Sequence, residues 1–198
     1  MKRPLIYALF TLLSFTKAFA QEKIWTKQTK ISKVIAFEKK VNPKSKFLNQ
    51  EVFVSKEYYP LAEKYVVANP IIVQRVAQYD LPIYAEYYFT PGDSILRLIS
   101  YNWEKGRYGD LADLQKTWKE ENTKFDVYGK EYERIKKMLI SQFGKATTAD
   151  ASAKTVNSEE SSYLERNTLW ETENMHLELN MIFAQHTHRI RMTLYWKN

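Results

Sequence analysis

Residues 175–196 read Met-His-Leu-Glu-Leu-Asn-Met-Ile-Phe-Ala-Gln-His-Thr-His-Arg-Ile-Arg-Met-Thr-Leu-Tyr-Trp, and this stretch decides the fold class. Met175, Leu177, Leu179, Met181 and Phe183 alternate with His176, Glu178, Asn180 and Ile182. Past Ala184–His188, the residues Ile190, Met192, Leu194 and Trp196 alternate with Arg189, Arg191, Thr193 and Tyr195. A period of two with one apolar and one polar face is the pattern of half-buried strands. Placing Phe183 opposite Ile190 sets Met181 against Met192, Leu179 against Leu194 and Leu177 against Trp196. All the apolar side chains then share one face, and a slip by one residue would undo this. The stretch is an antiparallel hairpin.

Working upstream, residues 145–162 contain a single large apolar residue, Val156. Such a composition builds no core, so a mobile loop is expected there. Before it, Phe125, Tyr128, Tyr132, Ile135, Leu139 and Phe143 step by three or four, which predicts the main amphipathic helix. Gly144 stands where a left-handed cap would end it, and Gly129 weakens its first turn. Leu111, Leu114 and Trp118 predict a shorter helix. A second hairpin is expected at Ile83–Phe89 and Ile95–Trp103, around Thr90-Pro91-Gly92-Asp93-Ser94. Its alternation is poor, with large residues on either face, so the register stays open. Glu57–Val67 is a weaker helix candidate, and Lys33–Phe37 and Glu51–Val54 read as short strands.

The expected architecture is therefore α+β: an antiparallel sheet from at least two hairpins packed against one main helix. Each half also reads helix, loop, hairpin. Leu96-Arg97-Leu98 with Tyr101 and Trp103 is locally like Ile190-Arg191-Met192 with Tyr195 and Trp196. Two similar helix-plus-hairpin units are the corresponding candidate repeat.

Residues 1–20 set the expected compartment. Lys2 and Arg3 precede an apolar run from Leu5 to Phe15, and Ala18-Phe19-Ala20 offers small residues for cleavage before Gln21. This is the form of a cleaved signal peptide, and Lys17 interrupts a run already short for a membrane span. Residues 21–198 are then a single exported domain with no transmembrane segment. No Cys follows the cleavage site, so a lipoprotein is excluded. Zero Cys and the lack of any Asn-x-Ser/Thr sequon point to a periplasmic or secreted bacterial protein.

The formal charge is +7 over 198 residues. Losing residues 1–20 removes Lys2, Arg3 and Lys17 and no acid, which leaves +4. Residues 21–60 hold nine Lys against four Glu, so the excess is local rather than general. A Lys-rich exported segment keeps a surface solvated; its sharper role is affinity for anionic glycans or membrane. No nucleic-acid module accompanies it.

Motifs for chemistry are sparse. There is no G-x-S-x-G elbow, and the five Gly are scattered, which excludes a phosphate-cradling loop. His186-x-His188 could ligate a metal, but no third ligand is evident and an exposed polar turn explains the pair. Glu86 and Glu104 on adjacent strands could serve as the carboxylate pair of a carbohydrate hydrolase, or be ordinary strand positions, Glu86 lying beside Arg97. No cofactor is expected.

With 15% aromatic residues, the chain has rings to spare beyond the helix core. Tyr and Trp bring large contact area at low entropy cost. Tyr84, Tyr88, Tyr101 and Trp103 on the first hairpin are the candidate ligand-binding residues. The functional expectation is a non-enzymatic exported protein that binds an envelope protein or a glycan through this hairpin and the Lys-rich segment.

Overall fold

The computed structural model describes residues 22–77, 79–157 and 162–198. The expected signal peptide therefore lies outside the described residues. The elements run α1 (Ile31–Val41), β1 (Lys46–Leu48), β2 (Ile71–Arg75), β3 (Ile83–Phe89), β4 (Leu96–Trp103), α2 (Leu111–Glu121) and α3 (Phe125–Phe143). Then follow β5 (Thr148–Ala149), β6 (Lys154–Asn157), β7 (Ser162–Glu171), β8 (Met175–Ala184) and β9 (Thr187–Trp196). The nine strands described form one antiparallel sheet in the order β1-β2-β3-β4-β9-β8-β7-β5, with β6 also on β7. Helices pack on it, giving the α+β fold.

The order has a simple internal logic. α1 precedes the meander β1-β2-β3-β4, α2 and α3 precede β7-β8-β9 with its short partners, and β4 and β9 join the two antiparallel. The two hairpins expected from the sequence thus lie side by side in one sheet, while the helix expected at Glu57–Val67 of the first candidate unit is absent.

One sheet face carries the main core. Val73, Ala85, Tyr87, Ile99, Tyr101, Leu177, Leu179, Met192 and Leu194 pack against Tyr128, Tyr132, Ile135 and Leu139 of α3 and Val34 of α1. A smaller cluster of Tyr59, Tyr88, Leu98 and Tyr195 lies on the opposite face, covered by residues from Val52 to Val67.

The last hairpin forms with its apolar face as expected, but Phe183 pairs with His188 and Met181 with Ile190. The register is two residues tighter than the alternation alone proposed. Ala184 pairs with Thr187, so Gln185 and His186 make the turn alone. A two-residue shift preserves which face each side chain takes, so hydrophobic patterning does not distinguish the two registers.

Several other expectations are corrected. Lys33–Phe37 lies in α1, which buries Ile31, Val34 and Glu38 at helical spacing. Glu38 at a core position broke the apolar stripe and hid the period. Glu51–Val54 forms no strand, and Glu57–Val67 is a chain of turns; Pro60, lacking an N–H, sits inside the candidate helix. α2 forms with Asp110 capping the Asp113 amide at 2.9 Å, yet Leu111 is 63% exposed. α3 begins at Phe125 despite Gly129, and ends at Gly144 with φ +79°. Residues 145–157, expected within a mobile loop, include the short exposed strands β5 and β6 against β7. They add edge pairing rather than core.

Candidate functional site

The first hairpin covers both of its faces. Its pairs include Tyr84 with Asn102, Ala85 with Tyr101, and Ile83 with Trp103, so the four candidate rings divide by parity. Tyr101 and Trp103 enter the main core, each 0% exposed. The Tyr101 hydroxyl accepts from the Trp25 amide at 2.7 Å, and Trp103 Nε1 donates to Glu22 at 3.0 Å. Tyr84 and Tyr88 lie on the other face, at 5% and 1% exposure. Tyr84 meets Tyr108 edge-on and accepts from Gln74, while Tyr88 donates to Glu86 at 2.9 Å. No exposed aromatic platform results; all four rings are packed.

Under α1, Arg75 and Glu38 form a buried ion pair with Arg75 Nε donating to Glu38 Oε2 at 2.9 Å. Tyr87 also donates to Glu38, and Lys23 supplies a carbonyl to Arg75 at 2.7 Å. Burial works against the charge on Arg75, but the hydrogen bonds and negative charge of Glu38 outweigh it and hold the guanidinium charged.

The structure does bring Glu86 and Glu104 together, and the residue between them is Arg107. Its Nε donates to Glu86 and its Nη1 to Glu104, each at 2.7 Å. Tyr108 donates to Glu86 at 2.8 Å. Glu86 is 1% exposed and pairs across the sheet with Ser100, not Arg97, which instead holds Asp93. Two carboxylates sharing one guanidinium more than compensate its charge, and each commits its Oε1 to it. Such a trio fixes the loop 105–109 to the sheet, and sequence reasoning found the acids without their shared partner.

The two histidines part company. His186 sits exposed at the turn, its ring 5.2 Å from that of Trp118. His188 is 4% exposed, its Nε2 2.9 Å from Asn122 Oδ1 and its ring against Phe183. No group of three metal-ligating side chains occurs among the described residues.

The rest of this outer sheet face is polar. A row of paired positions runs Gln74, Tyr84, Asn102, Arg191, Asn180, Asn167 across six strands. Arg191 Nε donates to Asn102 at 2.7 Å and Asn180 to Asn167 at 2.7 Å. The next row holds Glu86, Ser100, Thr193 and Glu178. Burial pushes the Glu178 carboxyl above its usual range, against the pull of His176 and Arg191.

The Lys-rich segment has a definite arrangement. Lys23, Lys27, Lys30, Lys33, Lys39, Lys40, Lys44 and Lys46 are all exposed. None of these eight joins an ion pair among the described residues. The acids interspersed with these eight lysines are inside, Glu38 on Arg75 and Glu22 on Trp103 and Arg134, whereas Glu51 and Glu57 further along are exposed. Because α1 buries Ile31, Val34 and Glu38, Lys33 and Lys40 fall on its outward stripe with Lys39 beside them. The fold thus hides the acids and shows the ammonium groups, a segregation that composition alone could not reveal.

No family model matches the chain, and no curated protein or solved structure shows significant similarity to it. Among the described residues, no helix is long and apolar enough to cross a membrane.

Proposed function

We propose that this is an exported, non-enzymatic binding protein of the bacterial cell envelope, which holds an anionic partner through its lysine face. The observation that carries the reading is the segregation just described: exposed lysines unmatched by acid, over acids that are buried and compensated. A surface whose charges are meant only for solubility mixes both signs. Here a single sign covers α1, the turn after it and β1, which raises the local concentration of an anionic partner. Residues 1–20 support the exported address by their signal-peptide form. Glycan and protein partners both fit an ammonium surface, and a carboxylate- or sulfate-bearing glycan is the simpler match.

The experiment is retention of the mature chain on a heparin matrix as salt rises from about 0.05 to about 0.5 M, where screening shortens from beyond 10 Å to a few ångströms. Steep elution with salt is expected, and earlier elution when Lys33, Lys40, Lys44 and Lys46 are all replaced by Gln. Retention that ignores salt, or is unchanged in the Gln variant, overturns the reading. The carbohydrate-hydrolase alternative draws on the meeting of Glu86 and Glu104. It requires turnover of an envelope glycan that Glu86→Gln abolishes while leaving heparin retention intact.

A further inference from the structure

Arg189 stands apart from the other arginines of the outer sheet face. It projects from β9 opposite Ile182 and two residues before Arg191, so both guanidiniums share one face. Its Nε is buried and has no hydrogen-bond partner, and it enters no ion pair among the described residues. Glu104, the carboxylate that acts on it, is already bonded to Arg107. Arg191 spends its Nε on Asn102 and stacks over the Tyr58 ring at 4.9 Å, and its terminal nitrogens have no acceptor among the described residues. The site thus contains a buried guanidinium donor, Arg189 Nε, with no protein acceptor among the described residues.

Burial, with Arg191 and Arg107 close by, pulls the Arg189 pKa down to about 10 despite Glu104. An orphaned buried donor is destabilising, more so when it is charged. A bound oxyanion would remove that cost, because a guanidinium fork matches carboxylate and phosphate oxygens in pairs. Around the two arginines stand hydroxyl and amide groups of Thr193 and Asn180, the carboxyl of Glu178 and the ring of Tyr58. That surrounding suits a polyhydroxylated ligand.

We infer that Arg189 and Arg191 form an oxyanion-binding site on the outer sheet face, taking the carboxylate or phosphate of an anionic sugar. The site is separate from the lysine face. It uses a few desolvated, directional donors where that face uses many hydrated point charges.

The test is titration of the mature protein with inorganic phosphate and, separately, glucuronate, followed by the Arg Nε–H resonances. Saturable shifts of Arg189 are expected with at least one of them, and affinity about tenfold or more weaker in Arg189→Met, the loss of a charged hydrogen bond. The glucuronate arm alone responding would identify carboxylate as the chemistry, and phosphate alone would identify phosphate. The Gln variant of the lysine face should titrate normally, so failure here and failure of that reading are distinguishable. Thermal unfolding without ligand is the second readout. A guanidinium kept for a ligand leaves Arg189→Met as stable as the parent or more so, whereas a marked loss makes Arg189 structural and overturns the inference. Absence of saturation by both probes, or equal binding by Arg189→Met, overturns it too.

Discussion

His188 carries a pH dependence into the core. Burial lowers its pKa from 6.5, more strongly than Glu121 raises it, and His186 adds to the lowering. The unfolded chain therefore binds a proton at a pH where the folded chain does not. Above pH 6.5 both states are neutral at this position and it costs nothing; as pH falls through 6.5 toward the lower folded value, stability is lost. The loss is bounded by about 1.4 kcal/mol per pH unit across that window. Urea unfolding at decreasing pH should show it, and His188→Gln should remove this part of the slope. An unchanged slope in the variant would assign it elsewhere. Glu38 gives a larger effect. Replacing it by Gln leaves Arg75, 4% exposed, without its counter-charge, and about 3–5 kcal/mol should be lost in urea unfolding.

At the scale of elements, periodicity was readable wherever one face is uniformly apolar. α3 spans the residues that its aromatic spacing marks, and β8 and β9 take the faces that their alternation assigns. It failed where the core admits charge, as in α1 with Glu38, and where both faces are covered, as in β3 and β4. The candidate site suffered the same way. Tyr84, Tyr88, Tyr101 and Trp103 were visible as large rings, but burial depends on segments such as 52–67, whose covering role has no local signature. Arg107 and Arg189 matter through what lies opposite them in three dimensions, and no spacing rule encodes that. α3 also offers an element-scale test. A Cβ added at Gly129 meets nothing within 4 Å, and the position is inside the helix. Gly129→Ala should therefore stabilise the protein by about 1 kcal/mol, seen as a raised Tm. Gly144→Ala should do the reverse, because φ +79° strains any residue with a Cβ.

At the scale of the whole molecule, the two meanders join in the sheet through β4 and β9, where Leu98 to Trp103 pair with Tyr195 to Ile190. The core nevertheless ignores the seam: Tyr87, Tyr101 and Trp103 join one cluster with Tyr132, Leu139, Leu179 and Met192. Polar ties cross it as well, Glu22 linking Trp103 to Arg134 of α3, and Arg191 linking to Asn102. Neither half can open without exposing apolar surface of the other, so unfolding should be one cooperative event. Trp103 and Trp170 report on the two halves separately, being 0% and 3% exposed. With fluorotryptophan labelling, their NMR signals should vanish at the same urea concentration. Met192, 0% exposed and paired with Tyr101 across the seam, sharpens the test. Met192→Ala should cost about 2–5 kcal/mol and move both tryptophan transitions by the same amount. A shift confined to Trp170 would show that the meanders unfold independently and that the seam joins two units rather than completing one.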